Sequence, residues 1–484
     1  MSQLSFDHRN AEYRITMALV SPTHLLTLHN ASETQIRSLQ FNPSRKYDYV
    51  SKFSRATATG IPDPSIFRSL PKENTGGRAL PTVSECAIHL EMLEAFHTLR
   101  NDIIHSRKLD DTFDIHPTPT TVYRKKRENR KYVIETASIK DRTFAERRKT
   151  KWTQYLRLAT IRFHDWITLV DGHLANAKNG GSTPKWLLLP PLDVLVIWHA
   201  FLLNCDDFKS YCEGRNLAHI QSIAFPWAQI HAAIDSTTYQ YTLPIEHREW
   251  LTNSKIDPDL FEACRAASRR DGMTKNFLSV FDRCHLPGTW EEFGGPTLAQ
   301  AGSISNKALV ENVERQCVFV DKMHGHRWIR SPAVEGTLRR AIDRYDKFLH
   351  LFRLHPNVFL VPTLDVDLVW HTHQCSAASY RGFVTERVGR FINHEDKIGR
   401  DTLDDGFTSA EQWYRLRFGE QYQVCLCWSC EAILSAVEEL DDEMLSQIEP
   451  PVADLSKAVE EKVHYYREAE TARRLGRAAP IWNH

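Results

Sequence analysis

Apolar side chains in this chain recur at near-helical intervals over long stretches. In TVSECAIHLEMLEAFHTLRNDII, Ile88, Leu93, Phe96, Leu99 and Ile103 share one face, and Thr82 and Glu85 have capping-box spacing. The pattern predicts a helix and the start of a packed domain. Residues 1–80 show no such period and carry scattered Pro, Gly and Ser (ATATGIPDPSIF, KENTGGRALP), which predicts an irregular N-terminal arm. IRFHDWI (161–167) and IDRYDKFL (342–349) each fit an amphipathic helix. Residues 435–484 read as a tail, acidic and then helical.

The pattern also repeats. PPLDVLVIWH at 190–199 aligns without gaps on PTLDVDLVWH at 362–371, with six identities in ten and a constant offset of 172. Each copy follows an apolar tetrapeptide, Trp186 to Leu189 and Val358 to Val361. Each precedes an aromatic pair, Phe208 and Tyr211 or Tyr380 and Phe383. The expectation is a mainly α fold built from two related helical units, an internal duplication: 81–290 with a basic insertion at 121–151, and 307–434. The Pro- and Gly-marked stretch 286–306 is the expected joint.

Positions common to both copies are expected to serve folding. Asp193 and Asp365 read as helix caps, Trp198 and Trp370 as core, and His199 as a buried anchor. The differences carry more chemistry: Leu195 becomes Asp367, Phe201 becomes His373 and Leu202 becomes Gln374. On a helix, Asp367, His371 and Gln374 share one polar stripe, while His373 points among Val366, Val369 and Trp370. Asp367 and His371 could ligate a metal, act as a carboxylate orienting an imidazole, or form a buried hydrogen-bonded pair.

Downstream, Cys425, Cys427 and Cys430 form C-x-C-x-x-C, three thiols that could share one metal or exchange disulfides. A tetrahedral zinc site needs a fourth ligand, to come through the fold from His371, His373 or His394. Three ordinary buried thiols is the competing reading. His394 and Asp396 have the H-x-D spacing of facial-triad iron sites, but their helical surroundings differ from the barrels that carry those sites.

Composition narrows the classes. In 484 residues, 61 basic side chains balance 61 acidic ones, so no global field favours nucleic acid or an anionic membrane. The first residues lack signal-peptide character, no run approaches a membrane span, and ten cysteines are too sparse for a disulfide scaffold; the expected compartment is cytoplasm or nucleus. Residues 121–151 hold twelve Lys or Arg against four Asp or Glu. They read as a solvated linker or helix face, with nucleic-acid binding as the alternative. The chain shows no Gly-rich phosphate loop, G-x-S-x-G elbow, H-E-x-x-H pair or dinucleotide fingerprint.

Taken in order, LDVDLVWHTHQ, Tyr380, NHEDKI and FGEQYQVCLCWSCE, with WIRSP at 328–332, resemble the glycine-rich domain protein-like family of plants and fungi. The resemblance covers roughly residues 81–435. Plant relatives append a glycine-rich tail, and some an RNA-recognition module. Here the twenty glycines are dispersed and no RNP-type aromatic motif occurs, so RNA binding is not carried across. The resemblance implies no particular reaction, and it points to Asp367, Trp370, His371, His373, His394 and the three cysteines.

The expected function is binding or scaffolding of a protein partner or small ligand. Asp367, Trp370, His371, His373, Gln374 and His394 are the ligand-binding candidates. Cys425, Cys427, Cys430 and His371 are the metal candidates, with zinc as the expected ion. The alternative is a metal-dependent enzyme using Asp367, His371 and His373.

Overall fold

The structure is a computed structural model that describes residues 61–62, 64–67, 79–128, 131–178, 187–269, 273–286, 289, 304–394, 400–439 and 452–477. Most of the expected N-terminal arm, most of the joint at 286–306, the acidic stretch at 440–451, Trp186 and Asp396 lie outside the described residues.

Helices come first in chain order: α1 (Val83–His105) and α2 (Arg107–Thr112) lead into strands β1 (Thr120–Glu128) and β2 (Lys131–Ile139). Then follow α3 (Phe144–Lys178), α4 (Leu192–Leu202), α5 (Cys205–Arg215), α6 (Trp227–Ala233), α7 (Ile245–Asn253), α8 (Leu260–Ala267) and α9 (Lys275–His285). The remainder is α10 (Asn306–His326), α11 (Val334–Leu354), α12 (Leu364–Gln374), α13 (Ala377–Val388), α14 (Arg400–Phe418), α15 (Trp428–Glu438) and α16 (Val452–Arg474). The mainly α class is borne out.

The chain divides into two compact units that alternate in sequence. The C-terminal unit takes the described residues through Glu94, Ser222–Gln240 and those from Asp321 on; the central unit takes Ala95–Gln221 and Tyr241–Val320.

Helix α1 starts as its sequence dictates. Thr82 N–H donates to Glu85 Oε2 (2.8 Å) and Glu85 N–H donates to Thr82 Oγ1 (3.2 Å), a closed capping box. The two motif runs are the helices α4 and α12, and Trp198 and Trp370 are 1% and 4% exposed. Each motif helix packs on the long helix preceding it, α4 on α3 and α12 on α11.

The cap reading of Asp193 and Asp365 is corrected. Pro191 and Thr363 are the N-caps, and neither motif helix has a side-chain cap bond. Each aspartate instead holds a buried arginine from the long helix. Arg162 Nε donates to Asp193 Oδ2 at 2.7 Å in the central unit; Arg344 Nε donates to Asp365 Oδ2 at 2.7 Å in the C-terminal unit. Each arginine reaches on to backbone carbonyls, Asp257 O from Arg162 and Tyr422 O from Arg344, both at 2.6 Å. A buried charge needs both a counter-ion and acceptors for its remaining N–H groups, and each guanidinium has them.

Ring contacts correspond as well. In the central unit Trp166 meets Trp198 at 5.2 Å, and Phe201 meets Phe163, Phe208 and Tyr211 at 6.0, 5.3 and 5.3 Å. In the C-terminal unit Phe348 meets Trp370 at 5.8 Å, and His373 meets Tyr345, Tyr380 and Phe383 at 5.9, 5.1 and 5.2 Å.

The basic run is neither a linker nor, in its first part, a helix face. Strands β1 and β2 pair antiparallel, with Tyr123 opposite Thr136 and Lys125 opposite Ile134. β-branched and aromatic residues in both segments favour strands over coil. Tyr123 and Tyr132 are 73% and 71% exposed, so the paired strands bury neither aromatic. Helix α16, the helical part of the expected tail, packs on α15 through a buried side that includes Val459, Val463, Tyr466 and Ala469.

Candidate functional site

Helix α12 projects Asp367 and His371 one turn apart on the same side. His371 Nε2 lies 3.3 Å from Asp367 Oδ1. His394, from the segment after α13, completes a triangle: its Nε2 is 3.0 Å from His371 Nε2 and 3.6 Å from Asp367 Oδ1.

Local chemistry fixes His394. Helix α13 ends at Gly389, whose φ of 87° supplies the left-handed C-terminal turn that favours glycine. Trp370 Nε1 donates to Tyr380 Oη (2.8 Å), and Tyr380 Oη donates to Ile392 O (2.6 Å), which ties the segment to α12 two residues before His394. The Trp370 and His394 rings then meet edge to face at 5.2 Å. Below the site, Thr372 Oγ1 donates to Leu368 O (2.7 Å) and accepts from His89 Nδ1 (2.8 Å) on α1.

Burial raises the Asp367 carboxyl, and the neighbouring His371 and His394 outweigh it, holding the group below its ordinary value. A negative oxygen therefore faces two imidazole nitrogens. Donors about 2.1 Å from one ion, at angles of about 90° to 110°, stand about 3.0–3.4 Å apart. Two of the three edges fall in that range and the third exceeds it slightly. His371 is 2% exposed at the side chain, His394 13% and Asp367 22%, so the triangle is backed by the core and opens on the carboxylate side.

The other α12 candidates lie elsewhere. His373 is in the ring cage described above, its Nδ1 3.1 Å from Tyr345 Oη, and burial pushes its pKa down to about 3. In the sequence match it aligns with Phe201, and it is not part of the triangle. Gln374 is fully buried, and Trp370 acts through the Tyr380 bond. In the gapless sequence match, Leu195 aligns with Asp367, and in the central unit His199 borders a small apolar crevice with Phe96, Trp152 and Val196.

The three cysteines gather separately. The sulfurs of Cys425, Cys427 and Cys430 lie within 4.8 Å of one another, and His371 is grouped with Asp367 and His394 instead. Expectation of one centre shared by His371 and the thiols gives way to two groups. The Cys427 thiol is held low by hydrogen bonds from Cys425 and then Cys430, and by the N–H groups of Cys430 and Ser429. The residue beside this segment that the sequence does not signal is His326, whose carbonyl oxygen accepts from Trp428 Nε1 at 2.8 Å, next in the chain to Cys427. It lies in HGHRW, directly ahead of the cited WIRSP.

Comparison with known proteins follows the same region. Residues 291–383 match the family model described as Glycine-rich domain-containing protein-like, a span that includes α12 and stops before His394 and the cysteines. Glycine-rich domain-containing protein 2 of Arabidopsis thaliana is 26% identical over 282 residues, 55% of this chain and 30% of the relative. Glycine-rich domain-containing protein 1 of the same plant is 26% identical over 272 residues, 53% of this chain and 28% of the relative. The aligned stretch thus spans less than a third of these curated relatives' length. No solved structure matches the chain significantly. The resemblance to the glycine-rich domain-containing protein-like family is borne out. Among the described residues, no helix is long and apolar enough to cross a membrane.

Proposed function

We propose that the chain is a binding protein whose C-terminal unit holds one divalent first-row transition ion between Asp367, His371 and His394. The observation that carries this reading is the triangle of one carboxylate oxygen and two imidazole nitrogens with edges of 3.0–3.6 Å. Imidazole and carboxylate donors suit zinc, iron(II), manganese or nickel rather than calcium or magnesium. Three protein donors leave coordination positions for water or a small ligand, which supports ligand capture at the metal.

The two units read best as an internal duplication. Matching Arg–Asp pairs, Arg162 with Asp193 and Arg344 with Asp365, and matching ring contacts support common ancestry of the helical core. Under that reading the site belongs to one copy, created where Leu195 of the other is replaced by Asp367. Open coordination positions also favour a second reading, a metal-dependent enzyme acting through the same ion, with His373 set aside because it is caged by rings.

The test is elemental analysis of full-length protein purified without a metal-affinity tag. Native protein should carry an ion that His371→Ala and His394→Ala each lose. Retention of the full metal content by both variants would refute the site.

A further inference from the structure

We propose that Cys425, Cys427, Cys430 and His326 form a tetrahedral zinc site, independent of the Asp367 triangle. Thiolates around one zinc, with bonds of about 2.3 Å, stand about 3.8 Å apart, so the sulfur cluster within 4.8 Å needs only a small contraction. Cys427 is the N-cap residue of α15, where the partial positive charge of the helix N-terminus favours the thiolate that a metal requires.

The fourth ligand is placed by a reciprocal pair of tryptophans. Trp328 Nε1 donates to Leu426 O at 2.9 Å, and Trp428 Nε1 donates to His326 O at 2.8 Å. These two bonds clamp the segment around His326 to the cysteine segment at both ends. The His326 ring also packs on Trp328, with centroids 5.1 Å apart. All four donors belong to the C-terminal unit, where α15 packs on both α11 and α16. With three thiolates and one imidazole the coordination is closed, so the role is structural: zinc would fasten the end of α10 to the start of α15.

Cobalt(II) titration of the metal-free full-length chain, under reducing conditions, reads the thiolates directly. The expected result is thiolate-to-cobalt charge transfer in the near ultraviolet that saturates at one equivalent, persists in His371→Ala and disappears in Cys427→Ser. His326→Ala should weaken this binding at least tenfold. Because Cys427→Ser can also fail by misfolding, native zinc-loaded protein is treated in parallel with a mercurial, which should release one equivalent of zinc to a colorimetric chelator. Absence of the charge-transfer band together with no mercurial-released zinc overturns the site. Unchanged cobalt affinity and spectrum in His326→Ala overturns His326 as the fourth ligand. Loss of the band in His371→Ala would mean a shared centre and likewise overturn independence.

Discussion

His371 and His394 face each other through their Nε2 atoms at 3.0 Å, with Asp367 Oδ1 beside both. Two neutral imidazoles can share that gap only if one donates its single proton to the other. A dication satisfies both lone pairs and the carboxylate at once. The carboxylate tips the balance, because its Oδ1 lies 3.3 and 3.6 Å from the two imidazole nitrogens, where a cation between the three satisfies its charge.

One consequence concerns Asp367→Leu, which restores the residue type at position 195 of the matching helix. The substitution should abolish metal binding at the triangle while leaving the metal-free protein's stability unchanged or raising it by up to about 2 kcal/mol, because an apolar residue replaces a buried charge. Urea unfolding of both proteins in chelator measures this. A loss above about 2 kcal/mol would make Asp367 a folding residue first.

The Arg344–Asp365 pair is a second target. Arg344→Met strands the buried Asp365 and frees Tyr422 O and Gln421 O, and should cost about 3–5 kcal/mol. The double variant Arg344→Met/Asp365→Leu should recover most of that loss. Urea midpoints in a double-mutant cycle give the coupling, and a single-variant cost under about 1 kcal/mol would contradict it.

His373 gives a pH dependence with a definite sign. Its folded pKa, about 3, lies below the unfolded value of about 6.5, so the unfolded state takes the proton first. The contribution to stability is complete above about pH 6.5 and drains as pH falls toward 3. His373→Gln should therefore flatten the stability curve of metal-free protein between pH 6 and 4, by about 1.4 kcal/mol per pH unit. Equal slopes in the two proteins would show that His373 is protonated in the fold.

Much of this was legible in the chain, for physical reasons that stop at identifiable points. The repeat exposed both motif helices and their tryptophans, because a buried helix needs the same apolar face wherever it recurs. Contrasting the copies isolated Asp367 and His373, and helical spacing put them on different faces, yet it could not say what meets either one. The ring cage around His373 comes from α11 and α13, and the histidine that meets His371 lies 23 positions away. Asp193 and Asp365 misled for the same reason: a first-turn carboxylate suits a cap, and only the fold supplies Arg162 and Arg344. In the two paired strands, a dense run of Lys and Arg hid the period-two face shared by Tyr123, Tyr132 and Ile134. His326 is 101 positions from Cys427, and nothing local joins them.

The most direct measurement is a crystal structure of the native protein with anomalous data collected at the absorption edge of the metal found by elemental analysis. The expected result is an anomalous peak about 2.0–2.2 Å from His371 Nε2, His394 Nε2 and an Asp367 carboxylate oxygen. A well-ordered His371–His394 hydrogen bond with no peak between the rings, in protein crystallised with the metal in excess, would contradict it.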